Sequence, residues 1–339
     1  DDCSDALVPG LTRRLMLAVL ATLAPAVAAS PAGAAGHSFR VAPPAHPNAG
    51  IVDVYTTLGY QSGVAAGTGM ILTPSGEVLT NNHVIEGATK FKVVDVVTHK
   101  KYNATVVGYS VSRDIAVLKL AHAWGLRTVK TGSTAGVRVG QQVVARGNAQ
   151  GLGGRPKTAR GRILALHRKI VAKDEGNDSE TLTNLIATNA PVVPGYSGGP
   201  LEDAKHRVIG VVTAGSTAGI HRGFAIPIKQ ALLLARQIEN GKSNSNVHVG
   251  PTAFLGVTLD NTAQGVVIIG VVPKLAADDA GLVVGDIISS LDGKAISSVA
   301  DIRKTVLTLT PGKAVDVGWT DKSGTAQTGS ITPTSGPPQ

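Results

Sequence analysis

The 339-residue chain sets 32 Lys and Arg against 23 Asp and Glu, for a formal net charge of +9, and is 43% apolar but only 3% aromatic. Its single cysteine, Cys3, excludes an internal disulfide and any cysteine-based metal centre. The 41 glycines and 18 prolines fit a β-rich protein with many turns, and the length suits two or three domains with a sizeable core.

In chain order, Arg13 and Arg14 stand before the apolar run LMLAVLATLAPAVAA at residues 15–29. Two positive charges, a short apolar run and small residues at its end predict a secretory signal peptide over 1–29, with cleavage near Ala29. Uncleaved, residues 15–29 would serve as a membrane anchor. Either way the expected location is secreted or cell-envelope, and cleavage would remove Cys3. Residues 30–48 are rich in Pro, Ala and Gly and read as a linker. His37 and His46 fall in it, and no metal is assigned to them.

The texture changes after residue 48. Runs such as IVDVYTTLG, GTGMILTPSGEVLTNNHVI and DIAVLKL are short and β-rich, and turn residues separate them. A helical period first appears at residues 228–240, with Gly241 as a natural stop. Residues 49–240 therefore read as an all-β unit closed by one helix, long enough for two small barrels divided near 121–138. A polar linker at 241–250 leads to a small α+β unit over 251–332, with a helix in SVADIRKTVLTL. The tail 333–339, TPTSGPPQ being its surroundings, is expected to be disordered. The densest basic stretch, residues 155–173, holds seven Arg or Lys but no aromatic residue that could stack on a base. It reads as a solvated face, and no nucleic-acid partner is expected. Salt-dependent binding would be the mark of the contrary reading.

The chemistry of the first unit centres on APVVPGYSGGPL, residues 190–201. A serine hydroxyl is a poor nucleophile at neutral pH and needs a base, which in turn needs an orienting group. Ser197 sits on a glycine-flanked loop where backbone N–H groups can converge. His83 follows a strand in LTNNHVIEG. Asp114 stands at the mouth of the apolar strand in SRDIAVLKL, where a buried carboxylate would require a partner such as an imidazole N–H. The order His, Asp, Ser matches one known arrangement of the catalytic triad.

The strings TNNHVI, RDIAVLKL, PGYSGGPL and FAIPI together resemble the trypsin-like serine proteases of the HtrA (DegP/DegQ) type over nearly all of residues 49–330. The resemblance implies a double β-barrel, chymotrypsin-like protease domain followed by a PDZ domain. It implies His83 as general base, Asp114 as its orienting acid, Ser197 as nucleophile, and the N–H groups of Gly195 and Ser197 as the oxyanion hole. It also implies that Val211, Val212, Thr213, Ala214 and Gly215 form a wall against the substrate backbone, suited to a small or medium apolar residue before the scissile bond. In the second unit, FLGVTL and GLVVGDIISSLDGKAI resemble a bacterial protease PDZ domain. Phe254, Leu255, Gly256 and Val257 are then the loop and strand start that meet a peptide C-terminus. Expected partners are unfolded or exposed polypeptides and C-terminal peptides, with a homotrimer as the implied assembly. No cofactor is expected. Tyr196 departs from the family, which has Asn at that place. A bulky ring beside the oxyanion donors supports the alternative of a latent or inactive, peptide-holding protein.

Overall fold

A computed structural model describes residues 46–339 apart from 61–62, 174–178 and 217–221. The expected signal segment and nearly all of the 30–48 linker lie outside the described residues.

Strands β1 (Ile51–Leu58), β2 (Gly63–Ile71), β3 (Glu77–Thr80), β4 (Lys90–Asp95), β5 (Lys101–Ser110) and β6 (Ile115–Leu120) come first. They run in the order β5-β4-β1-β2-β3-β6, and β6 pairs back onto β5 to close the ring. A one-turn helix, α1 (Asn82–Ile85), follows β3. Strands β7 (Gln142–Gly147), β8 (Lys157–Lys173), β9 (Ser179–Thr188), β10 (Pro200–Glu202), β11 (Val208–Ser216) and β12 (Arg222–Pro227) form a second closed barrel. Helix α2 (Ile228–Glu239) ends this part.

The two-residue period of a strand explains how the barrels meet. In β6, Ala116, Leu118 and Leu120 point into the first barrel, while Ile115 and Val117 join a separate cluster with β9, β11 and β12. Strands β2 and β3 behave alike: Ile71 and Val78 face inward, and Met70 and Leu79 face the other barrel. These strands are apolar on both faces because both faces are covered. Helix α2 presents Ile228, Ala231, Ala235 and Ile238 to the same inter-barrel cluster, a helical stripe at spacings of three and four. It stops at Asn240, and Gly241 takes a φ of +67° beyond it. The basic side chains Arg155, Lys157, Arg160, Arg162, Arg168 and Lys169 are exposed along and just before β8.

Residues 241–250 differ from the linker expectation. They contain β13 (His248–Val249), which adds to β5 of the first barrel. Polar composition concealed this strand, because its ladder depends on a distant partner. Beyond it come β14 (Thr252–Phe254), β15 (Val257–Thr262), β16 (Gly265–Val271), α3 (Ala276–Asp279), β17 (Ile287–Leu291), β18 (Lys294–Ala295), α4 (Val299–Val306), β19 (Val315–Thr320), β20 (Ala326–Ile331) and β21 (Thr334–Gly336). The main sheet runs β15-β16-β17-β19-β20, and β18 pairs with β17. Its core gathers Val266, Ile268, Ile288, Leu291, Ile302, Val306 and Val317. Ser298 caps α4 by accepting the Asp301 N–H.

The tail is a second difference. Residues 334–336 pair antiparallel with β14, in register Thr252↔Gly336 to Phe254↔Thr334. Pro337 and Pro338 are buried. The Gly87 N–H donates to the Pro338 carbonyl at 2.9 Å, Asn82 Nδ2 donates to the Gln339 carbonyl at 3.0 Å, and the Gln339 N–H donates to the Tyr109 hydroxyl at 3.2 Å. The polar, proline-rich composition predicted disorder because it cannot build a core of its own. It is ordered here by bonds to elements that already exist.

Candidate active site

His83 lies on α1, immediately past β3. Asn81, fully buried before the helix, donates from Nδ2 to the Asp114 carbonyl at 2.6 Å. Asp114 ends a short 3-10 turn at Val111–Arg113 in a left-handed conformation, φ +49°, and opens β6. That turn aims its carboxylate back at α1. Oδ1 accepts the His83 backbone N–H at 3.1 Å, and both carboxylate oxygens lie 2.9 Å from His83 Nδ1. Asp114 is 2% exposed, whereas the His83 side chain is 43% exposed. A buried acid thus holds the near nitrogen of a partly exposed imidazole.

Thr213 of β11 joins this pair to the serine. Its hydroxyl donates to Asp114 Oδ2 in a short hydrogen bond, and its carbonyl accepts from Ser197 Oγ at 3.4 Å. Sequence reasoning placed Thr213 in a substrate wall and missed this role. Only the spacing of a small polar residue in the apolar run VIGVVTAG hinted at it. Val211 and Val212 are buried on opposite faces of β11, in the inter-barrel cluster and the second barrel's core. Their side chains are occupied there, and the Val212 backbone is occupied as well: its N–H donates to the Gly199 carbonyl and its carbonyl accepts the Gly198 N–H, each at 2.9 Å. Gly215 is exposed at the end of this strand.

The serine loop runs from 189 to 199, between β9 and β10. Gly195 has φ +95°, and a Cβ there would stand 2.0 Å from the Asn148 carbonyl oxygen. Both facts demand glycine. Among the described residues, neither the Gly195 N–H nor the Ser197 N–H has an acceptor within the protein. The loop is held by its other groups. Ser197 carbonyl accepts the Thr68 N–H at 2.8 Å, Tyr196 carbonyl accepts the Gly199 N–H at 2.9 Å, and Pro194 carbonyl accepts the Gln150 N–H at 2.7 Å.

Tyr196 does not crowd these donors. It is 4% exposed and packs in the second barrel's core with Ala190, Val192 and Leu201. Space for it exists because residue 147 is glycine: a Cβ there would lie 2.7 Å from Tyr196 Cα and 3.1 Å from Cγ. Burial pushes the Tyr196 phenol above its ordinary value. A second buried group, Asp53 on β1, is 2% exposed and has its carboxyl pushed up to about 6 by desolvation, against hydrogen bonds from the Gly154 backbone and Tyr55 and the charge of His99.

In the second unit, Leu255 is buried and Gly256 takes φ +79°. Leu255 and Gly256 carbonyls accept the N–H groups of Ala277 and Val272, each at 2.8 Å. Val257 then begins β15, an edge of the sheet with β16 as its one partner among the described strands. Phe254 is placed differently from its three neighbours. It pairs with the tail in β14, and its ring stacks on Tyr60, with centroids 4.9 Å apart.

Two barrels with an acid–histidine pair on the first and a glycine-framed serine on the second define a trypsin-like peptidase domain, here followed by a PDZ-like sheet. Comparison with known families agrees: a trypsin-like peptidase domain matches residues 67–211, and a PDZ domain matches residues 253–326. The chain is 38% identical over 269 residues to a probable periplasmic serine protease do/HhoA-like of Haemophilus influenzae, covering 75% of this chain and 55% of that one. It is 33% identical over 300 residues to the serine protease PepD of Mycobacterium tuberculosis, with 83% and 63% covered. Against the periplasmic serine endoprotease DegP of Escherichia coli K12 it is 34% identical over 274 residues, with 76% and 55% covered. A solved HtrA-type protease, AlgW with a tripeptide, superposes with a TM-score of 0.50 at 27% identity, covering 86% of this chain and 95% of that chain. The chain thus carries a trypsin-like peptidase domain followed by a PDZ domain, and it is similar to serine proteases of the HtrA/DegP type. It spans little more than half the length of these curated relatives, 55% and 63% of the first two.

Proposed function

We propose that the chain is a serine endopeptidase that hydrolyses exposed peptide bonds through an acyl-enzyme. The observation that carries this reading is the buried Asp114 carboxylate seated on His83 Nδ1 and tied through Thr213 to Ser197. With Nδ1–H donated to Asp114, the other ring nitrogen, Nε2, is the basic one. Ser197 Oγ attacks the scissile carbonyl carbon while its proton passes to His83 Nε2. The carbonyl π pair becomes an oxyanion facing the N–H groups of Gly195 and Ser197. Collapse of the tetrahedral intermediate expels the amine, which takes the proton from His83. A water, deprotonated by the same imidazole, then releases the acid and restores Ser197.

The substrate backbone would pair along the end of β11, at Ala214 and the exposed Gly215. No acid of the serine loop offers a partner for Arg or Lys, so the residue before the cut is Val, Ala, Leu or Ile. Discrimination among these is weak, about 1–3 kcal/mol per methylene. At the PDZ unit, the N–H groups of Leu255, Gly256 and Val257 receive a peptide carboxylate, and the peptide adds to the open edge of β15. Phe254 contributes to the domain junction. The work is done on unfolded or exposed polypeptide outside the cytoplasm, as the periplasmic naming of the relatives supports. Among the described residues, no helix is long and apolar enough to cross a membrane.

The test is a fluorophosphonate probe, which labels an activated serine. Protein spanning residues 30–339 is expected to be labelled, and Ser197→Ala is expected to lose the label. Folded wild-type protein that stays unlabelled, with and without C-terminal peptides added, would overturn the protease reading in favour of peptide holding.

A further inference from the structure

Thr68 lies on β2, on the opposite barrel from the serine loop, and is fully buried. Every polar group it owns is engaged. Its N–H donates to the Ser197 carbonyl at 2.8 Å. Its carbonyl accepts from Thr80 Oγ1 at 2.8 Å. Its hydroxyl accepts the Asn148 N–H at 2.9 Å and donates to the Gly195 carbonyl at 2.7 Å. The direction is fixed by chemistry, since a backbone N–H only donates and a carbonyl only accepts. One hydroxyl therefore joins the 148–150 turn to Gly195.

We propose that Thr68 is a positioning residue that aims the oxyanion donors by holding the serine loop from its carbonyl side. The inference rests on the protease reading above. In a trans peptide the C=O and the following N–H point in opposite directions. The Gly195 N–H belongs to the same peptide unit as the Pro194 carbonyl, which the Gln150 N–H holds at 2.7 Å. That bond turns the Gly195 N–H away from the 148–150 turn and toward the cleft. It does so only while the turn keeps its place beside the loop, and the Thr68 hydroxyl is the bridge that keeps it there. Without the hydroxyl, the Asn148 N–H and the Gly195 carbonyl are buried without partners and must move apart or rotate to recover them. Rotation at Gly195 is cheap because glycine tolerates it.

The experiment compares Thr68→Val, which keeps the shape and removes the hydroxyl, with Thr68→Ser, which keeps the hydroxyl. Loss of a whole oxyanion donor costs about 10²–10³ in kcat, so a misaimed one should cost about tenfold to a hundredfold. T68V is expected to lose that much in kcat with KM nearly unchanged. Its affinity for a peptide boronate, whose tetrahedral adduct needs the donors, should fall in parallel. T68S should remain close to wild type in both. Thr68→Cys, isosteric with T68S but a weak hydrogen-bonding group, replaces T68V if thermal melting shows T68V unfolded. The inference is overturned if the folded variant lacking the hydroxyl matches wild type, or if T68S is as impaired as T68V. Wild-type protein that does not react with the fluorophosphonate would instead overturn the protease reading itself.

Discussion

The two sides of the cleft are built differently. On the first-barrel side, α1 and the start of β6 brace one another directly: Asp114 accepts the backbone and ring of His83, and Asn81 holds the Asp114 carbonyl. On the second-barrel side, the serine loop is braced by residues far away in the chain, Thr68, Asn148 and Gln150, and by the absence of a Cβ at Gly195. The histidine side is a compact joint between neighbouring elements of one barrel, to which Thr213 of the other barrel adds a bond. The serine side is a suspended loop whose geometry depends on the two barrels remaining in place. Substitutions should therefore act locally on the first and at a distance on the second.

Replacing Asp114 by Asn tests the joint. It keeps the shape but presents an amide to His83, which favours the wrong tautomer, and kcat should fall about 10⁴-fold with little change in melting temperature. A small loss would break the comparison, since it would mean that the base is held by something other than this carboxylate. Gly195→Ala tests the suspension. Its Cβ would meet the Asn148 carbonyl, so one donor is displaced and kcat should fall about 10²–10³-fold. Peptide product binding at the PDZ unit, measured by fluorescence anisotropy, should not change. Tyr196→Ala removes a buried ring beneath the loop and should cost about 3 kcal/mol in denaturant unfolding.

The smallest expected effect concerns Asp53. Its native carboxyl titrates at about 6, above the ordinary 3.8. The native state therefore binds more protons than the unfolded state between those values, and this residue's contribution to stability falls as pH rises from about 4 to 6. Asp53→Asn should remove that fall and leave the variant about 1–2 kcal/mol more stable than wild type at pH 8, with no gain at pH 3. Urea unfolding at the two pH values checks the sign.

Much of the site was legible because its residues lie in short strings with local logic. The turn after β3 carries His83, the mouth of β6 carries Asp114, and two glycines frame Ser197. The barrels were legible from alternation broken by turn residues. What sequence did not reveal shares one property: its meaning comes from a partner elsewhere. Thr213 reads as one more small residue in a strand until Asp114 is seen beside it. Tyr196 reads as an obstruction until Gly147 is seen to make room. Thr68 has no signal of its own, since a buried threonine in a strand is common. The tail and β13 look like solvated linker because their composition is polar, yet their hydrogen bonds go to β14, β5 and α1.

The docked tail also bears on how the molecule assembles and comes apart. The Asn82–Gln339 bond spans 257 positions, and the Tyr109–Gln339 bond spans 230. Closing a loop of that length in an unfolded chain is entropically unfavourable, so these bonds form only after both folded units have brought their ends together. Once formed, they put a late-arriving strand end beside the helix that carries His83. The Gly87 amide, whose acceptor is the Pro338 carbonyl, should then exchange its hydrogen by local release of the tail alone, while amides of β2 and β6 wait for global unfolding.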